Sequence, residues 1–261
     1  MLSQTAIKQT ELHDAPAATP AHTARLRRLT LTDFRSYVRA EISFDGRPVA
    51  IAGENGAGKT NLLEAVSLIG PGRGLRGARL DELPRIGGAG GWAVSARVDD
   101  GEDERRFGVG AEASRPDRRV CRIDDASAPG PGAFAEHLRF LWLTPAMDRL
   151  FMEGASERRR FLDRMTLAHD PSHGKASSAY EKAMRQRQRL LDEGGRDDEW
   201  LSALERQMAE AGVTLAAGRR DTAAMLAAAN IADDGESFPA ADIALEGDLE
   251  TALGGAAVSD V

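Results

Sequence analysis

The sequence predicts an α/β fold, with a mixed sheet in a first lobe and a mostly helical second lobe. Three features predict it. An apolar strand, a glycine-rich loop and an amphipathic helix follow one another directly over residues 49–69. Period-two alternation recurs between Leu26 and Ile123. From Ser156 onward, apolar residues return at steps of three and four.

Residues 1–24 are rich in Ala, Thr and Pro and have no apolar h-region, so they are expected to be a disordered leader or a start-site artefact rather than a secretory or mitochondrial signal. Leu26–Phe34 and Tyr37–Phe44 read as two strands joined by a turn. Val49-Ala50-Ile51-Ala52 suits a buried parallel strand, and Asn61–Ile69 sets Leu62, Leu63, Ala65, Val66 and Ile69 at helical spacing. Gly70–Gly77 is too rich in glycine for regular structure. A meander follows over Trp92–Val98, Arg106–Ala111 and Arg118–Ile123, separated by Asp/Gly/Glu and Pro/Asp clusters. The apolar run Leu138–Leu143 ends at Thr144-Pro145, which closes a first lobe spanning residues 25–145.

The second lobe, residues 146–232, reads as helices over Ser156–Ala168, Ser177–Glu193 and Asp198–Asn230. Leu201, Leu204, Met208, Ala211 and Leu215 form a stripe on the last of these, expected to pack against Met184, Leu190 and Leu191. Gly212 and Gly218 each cost a helix about 1 kcal/mol and argue against a long rod. Residues 233–261 are Gly/Asp/Ala-rich, with one strand expected at Asp242–Leu245.

At 261 residues and 42% apolar composition the chain can bury one or two cores. No stretch approaches the roughly 20 apolar residues that cross a membrane. The single cysteine, Cys121, excludes an internal disulfide framework and a cysteine-based zinc cluster, fits a reducing, cytoplasmic compartment, and reads as a strand residue. The net charge of −7 weighs against a nucleic-acid partner until its distribution is considered. Residues 191–261 hold 16 acidic and 4 basic side chains, whereas residues 145–190 hold 6 and 10. Nucleic acid responds to a local basic patch rather than to an average.

The octapeptide Gly53-Glu54-Asn55-Gly56-Ala57-Gly58-Lys59-Thr60 matches the phosphate-binding loop G-x-x-x-x-G-K-[ST] and stands between strand and helix, as that motif requires. A triphosphate in water is solvated by many dipoles, and a protein must replace them with many fixed donors at once. Gly56 and Gly58 let the backbone take positive φ and present successive N–H groups as an anion nest. The helix N-terminus behind them favours an anion by roughly 0.3 to 2 kcal/mol. Lys59 brings a point charge for the β- and γ-phosphates, and the Thr60 hydroxyl is the candidate ligand for Mg²⁺. ATP with Mg²⁺ is the cofactor this chemistry predicts.

Three stretches together resemble the RecF family of DNA replication and repair proteins, relatives of the ABC-type and SMC-type P-loop ATPases. Leu31-Thr32-Asp33-Phe34-Arg35-Ser36, followed by the loop and Asn61-Leu62-Leu63-Glu64-Ala65, is similar to the strand pair and P-loop of that group. Gly72-Arg73-Gly74-Leu75-Arg76 is similar to its arginine-bearing segment. Leu143-Thr144-Pro145, leading through Gly154 to Arg158-Arg159-Arg160-Phe161-Leu162-Asp163, resembles the family hallmark, with Tyr180 and Arg185-Gln186-Arg187-Gln188 behind it. Ala155 stands where the hallmark has Pro, Ala146 where an acid usually follows Thr-Pro, and Leu141 about where such ATPases place a glutamine near the metal.

The resemblance implies an ATP-dependent homodimer that binds single-stranded, gapped or junction DNA and works with RecR and RecO. It also implies that the protein helps load RecA in recombinational gap repair and serves the SOS response. It implies weak DNA-stimulated ATP hydrolysis, yet neither an LSxGQ-type signature nor a Walker B strand occurs in this sequence. Residues 233–261 would then begin a segment returning to the first lobe, and the chain is expected to be C-terminally truncated relative to the family. For DNA contact the residues themselves offer Arg73 and Arg76 after the P-loop helix, and Lys182, Arg185 and Arg189 on one face of Ser177–Glu193. The competing readings are an ABC-type transporter ATPase subunit, a metabolic P-loop kinase, and a non-catalytic DNA-binding scaffold.

Overall fold

The computed structural model describes residues 7–9, 24–99, 103–194, 197–231 and 243–253. The chain divides into two compact units, Met1–Trp142 and Leu143–Val261.

In the first unit, alternation in the sequence becomes alternation across a sheet. The strands are β1 (Ile7–Gln9), β2 (Arg25–Phe34), β3 (Tyr37–Ser43), β4 (Val49–Ile51), β5 (Trp92–Asp99), β6 (Glu104–Glu112), β7 (Arg115–Ile123) and β8 (Ala126–Ala128), with helix α1 (Lys59–Leu68) between β4 and β5. Six of the strands form one sheet in the order β3-β2-β5-β6-β7-β8. Its register sets Leu29 opposite Ala96 and Leu31 opposite Val94, then Val94 opposite Val109 and Ala96 opposite Phe107. All six of these side chains are buried, in one cluster with Leu62, Ala65, Leu68 and Ile69. Phe34 meets Trp92 with ring centroids 5.7 Å apart, and Phe107 meets Phe134 edge-on at 5.6 Å. Truncating a fully buried phenylalanine such as Phe107 to alanine costs about 3–5 kcal/mol, so these contacts hold the sheet beneath α1.

The expectation of a mixed sheet is corrected here: every described strand pair is antiparallel. Short reversals join β2 to β3 and link β5 through β8, and a short reversal can only make antiparallel neighbours. The strand before the phosphate loop also departs from expectation. It is three residues long and half-buried, and it pairs antiparallel with Ile7–Gln9, where a buried parallel strand was expected. Its backbone N–H and C=O groups still need partners, and β1 supplies them. Ile7–Gln9 falls in the segment read as a disordered leader and is a strand; residues 1–6 and 10–23 lie outside the described residues.

The second unit is helical: α2 (Ala155–His169), α3 (Ser172–Asp192), α4 (Asp198–Ile231) and α5 (Asp248–Leu253). Helix α3 starts before the expected Ser177. Leu204, Ala211 and Leu215 of the predicted stripe are buried; of the expected partners on α3 Leu190 is buried, together with Ala183, while Met184 and Leu191 are exposed. Helix α4 runs unbroken through both glycines for 34 residues, contrary to the argument against a rod. Tertiary packing outweighs their propensity cost. A Cβ on Gly212 would stand 3.6 Å from Leu249 and 3.7 Å from Tyr180, and one on Gly218 would stand 3.1 Å from His173 Nδ1. The missing side chains are where α3 and α5 approach. The strand expected at Asp242–Leu245 is not found over residues 243–246, which lead into α5; Asp242 lies outside the described residues.

Candidate functional site

The phosphate loop leaves β4 and turns into α1 through two left-handed glycines, Gly56 at φ 84° and Gly58 at φ 94°. Gly58 is the N-cap of α1. Within the loop the Ala57 N–H donates to the Glu54 carbonyl, and the Asn61 and Leu62 N–H groups donate to the Gly58 carbonyl. The N–H groups of Gly56, Gly58, Lys59 and Thr60 have no intramolecular acceptor among the described residues. Unpaired donors converging at a helix N-terminus suit an anion. The Lys59 ammonium is held across the mouth of the loop, donating to the carbonyls of Gly53 and Glu54 at 2.7 Å each. Gly53, Glu54, Asn55, Gly56 and Thr60 are exposed, while Ala57, Gly58 and Lys59 are half-buried. The donor set therefore fits a polyphosphate.

Around this loop the hairpin turn between β2 and β3 forms a wall that the sequence did not announce. Tyr37 Oη donates to the Gly58 carbonyl at 3.2 Å, and Asn61 Nδ2 donates to Ser36 Oγ at 3.0 Å. Arg35, at φ 52°, turns its guanidinium onto Glu64 of α1 through two bonds of 2.9 and 2.7 Å. Burial pushes the Tyr37 phenol above its ordinary pKa, so it remains a neutral donor near pH 7. At the far end of α1, Arg119 of β7 donates to the carbonyls of Leu68 and Gly72. A cation there complements the helix C-terminus, which gives Arg119 a capping role rather than a place on a free basic surface.

Of the five arginines and lysines singled out for DNA contact, Arg73, Lys182 and Arg189 are exposed and carry no internal partner among the described residues. Arg185 pairs with Glu181 at 3.2 Å on the solvent side of α3, an exposed pair worth little. Arg76 is committed inward, to Glu64 at 2.9 Å and to Asn61 at 2.8 Å. Lys182, Arg185 and Arg189 do share the exposed face of α3, opposite the buried Ala183 and Leu190.

In the second unit the hallmark segment is largely structural. Asp163 accepts from Arg219 of α4 at 2.7 and 3.0 Å and from His173 Nε2 of α3 at 2.9 Å. Burial pushes the Asp163 carboxyl up, but the hydrogen bonds from His173 and Arg219 and their charges outweigh it and hold it below the usual carboxylate range. Nearby, Thr222 Oγ1 lies 2.8 Å from both Thr166 Oγ1 and His169 Nε2. Three helices thus close on one polar knot whose bonded partners are up to 56 residues apart in sequence. Arg158 donates to the Glu153 carbonyl at 2.7 Å, and Arg160 to Glu157 at 2.5 Å. No group of three or more His, Cys, Asp or Glu side chains among the described residues is arranged to hold a metal.

Sheet, loop and helix define a P-loop ATPase fold. An AAA-domain family model matches residues 28–74, the hairpin and phosphate loop. The chain is 50% identical over 246 residues to the DNA replication and repair protein RecF of Mesorhizobium japonicum, covering 93% of this chain and 64% of that protein. RecF of Rhizobium etli is 47% identical over 232 residues, covering 88% and 62%, and RecF of Caulobacter vibrioides is 47% identical over 251 residues, covering 91% and 64%. The chain belongs to the RecF family, and it spans 62–64% of the length of these relatives. Two solved structures of the recombination mediator protein RecF in the RecFOR pathway share its fold. The RecF-ATPrS structure has a TM-score of 0.71 at 23% identity, covering 80% of this chain and 57% of that one. The RecF-ATP structure has a TM-score of 0.70 at 22% identity, covering 82% and 58%. No helix among the described residues is long and apolar enough to cross a membrane.

Proposed function

We propose that this chain binds ATP with Mg²⁺ at Gly53–Thr60 and engages DNA as part of a RecF-type gap-repair protein in the cytoplasm. The observation that carries this is the donor cradle at the start of α1: left-handed Gly56 and Gly58, four unpaired N–H groups and the Lys59 ammonium. The N–H groups would receive the phosphates, Lys59 would exchange its two carbonyl contacts for phosphate oxygens, and the Thr60 hydroxyl would serve as the protein's Mg²⁺ ligand. Bound Mg²⁺ would neutralise charge on the phosphates.

Arg73 and the Lys182/Arg185/Arg189 face are the proposed phosphate contacts to single-stranded, gapped or junction DNA. By family resemblance the reading extends to an ATP-dependent homodimer, to RecR and RecO as partners, and to RecA loading and the SOS response. The similarity to RecF DNA replication and repair proteins and to RecF structures of the RecFOR pathway supports the repair part of this reading.

Two measurements test it. Titration with a fluorescent ATP analogue should show saturable binding that Lys59→Ala weakens at least about tenfold; equal affinity rejects the site. DNA affinity, measured by anisotropy on gapped and fully duplex probes, should fall by about 0.9 log unit per neutralised phosphate for each tenfold rise in salt, and a flat response rejects the DNA reading.

A further inference from the structure

Glu64 is 1% exposed, the only buried carboxylate among the described residues, and it lies on α1 just beyond the phosphate loop. A buried carboxylate needs a cation and hydrogen bonds, and a single bidentate arginine supplies both. Arg35 already does so, reaching both Glu64 oxygens at 2.9 and 2.7 Å while its Nη1 donates to the Glu82 carbonyl at 2.8 Å. Glu64 nevertheless holds a second guanidinium, that of Arg76, through Nη1 at 2.9 Å.

Arg76 is therefore surplus to the neutralisation of Glu64. Its side chain is 41% exposed, and its Nε and Nη2 have no acceptor among the described residues. Its Nη1 also donates to Asn61 Oδ1 at 2.8 Å, and Asn61 follows Thr60 in the first turn of α1. A half-compensated cation is thereby tied to the helix end that presents the unpaired N–H groups. The segment it anchors contains left-handed glycines at positions 72, 74 and 77, and between them the exposed Arg73.

We propose that Glu64 is a positioning residue that fastens the 70–77 segment, through Arg76 and Asn61, to the first turn of α1, so that nucleotide at the phosphate loop controls how firmly this arginine-bearing segment is held. The inference rests on the reading of Gly53–Thr60 as a nucleotide site. An anion at the start of α1 supplies the negative charge that the Arg35–Glu64–Arg76 cluster lacks and strengthens the Arg76 anchor. The segment that carries Arg73 is then held more firmly when nucleotide is present. Without the Glu64 charge, the guanidiniums of Arg35 and Arg76 repel each other and the Arg76 anchor is lost whether or not nucleotide is bound, leaving the segment held by Arg119 at the Gly72 carbonyl and Ser67 Oγ at the Leu75 N–H.

The test is limited trypsin digestion, with mass spectrometry following cleavage after Arg73 and Arg76, with and without Mg-ATP and alongside an ATP-binding titration. In the wild-type chain ATP should slow cleavage after Arg73 on the order of five- to tenfold. In Glu64→Gln, ATP should still bind within about threefold of wild-type affinity yet slow cleavage less than twofold. Arg76→Gln keeps the Arg35–Glu64 pair intact, so the core is preserved even if Glu64→Gln unfolds, and it should lose the protection of Arg73 in the same way. ATP binding to wild type without protection, or protection undiminished in Arg76→Gln, overturns the coupling alone. Absence of ATP binding by a folded wild-type chain overturns the nucleotide reading, and this inference with it.

Discussion

Tyr37 and Gly58 meet at the mouth of the phosphate loop: the phenol donates to the Gly58 carbonyl at 3.2 Å, and a Cβ on Gly58 would stand 2.7 Å from that same oxygen. The contact fixes where α1 begins and leaves no room for a side chain there. Gly58→Ala adds this clash to a φ of 94°, a backbone strain of about 1–3 kcal/mol. Thermal unfolding should show a lower Tm, and ATP affinity should fall because the N–H groups of Lys59 and Thr60 are re-aimed. Tyr37→Ala in the Gly58→Ala background removes the clash and should restore part of the Tm; no recovery would mean that strain at φ accounts for the whole loss.

Lys59→Ala removes a cation whose hydrogen bonds among the described residues go to two backbone carbonyls in an exposed loop. The circular dichroism spectrum should be unchanged and the unfolding free energy should stay within about 0.5 kcal/mol of wild type. ATP affinity should drop by about 10- to 100-fold. A variant that loses its fold along with its affinity would assign Lys59 to structure.

Asp163 ties α2 to α3 and α4, and removing its charge leaves Arg219 with only its longer 3.8 Å contact to Glu250, and His173 without its carboxylate, in a largely buried site. Asp163→Asn should destabilise the helical unit by about 3 kcal/mol. The sign of the pH dependence follows from the depressed carboxyl. Its stabilisation is fully present above the unfolded-state value, about 3.9, and is lost as pH falls through the lower folded-state value. Chemical denaturation of the wild-type chain between pH 6 and pH 2 should therefore show stability falling below about pH 4. Asp163→Asn should be flatter over that range; an identical acid limb would remove Asp163 from the account.

The two glycines of α4 should respond differently to alanine. At Gly212 the new methyl group finds ordinary contact, at 3.6 Å from Leu249 and 3.7 Å from Tyr180, so the helix-propensity gain of about 1 kcal/mol should appear as a higher Tm. At Gly218 it meets His173 Nδ1 at 3.1 Å and Thr166 Cγ2 at 3.2 Å, inside the polar knot, and that gain should be offset or reversed. Equal stabilisation by both would show that α4 can shift away from α2 and α3 at little cost.

Cys121 lies buried on β7 at 2% exposure, and burial pushes its thiol above the ordinary cysteine value, with nearby Arg119 only partly opposing the shift. A maleimide reagent at pH 7.5 should label it at least about a hundredfold more slowly than in denaturant. Rapid labelling of the native chain would mean that β7 opens locally.

Much of the framework was legible in the sequence because its signals are local. Period-two alternation located the hairpin and the meander, and steps of three and four located α2 and α4 to within a residue or so, whereas α3 starts five residues earlier than expected and α5 was not foreseen. The spacing of Gly53, Gly58, Lys59 and Thr60 located the loop, and the left-handed φ at Gly56 and Gly58 follows from the lack of a side chain. What could not be read is whatever joins distant residues. Nothing near Glu64 in the sequence says that Arg35 and Arg76 converge on it, although an acid at a core-facing helix position was a signal that could have been followed. His173 meets Asp163 and His169 meets Thr222 only once α2, α3 and α4 pack together.

The sequence by itself determined the element types, the phosphate loop and the family, because each depends on residues within a few positions of one another or on a motif of fixed spacing. Only the tertiary structure decided that the described strands pair antiparallel, that α4 runs through Gly212 and Gly218, and that Arg76 turns inward while Arg73 stays exposed. Those outcomes depend on burial and on charge pairing between segments far apart in the chain. Such terms reach several kcal/mol and override local preferences of about 1 kcal/mol.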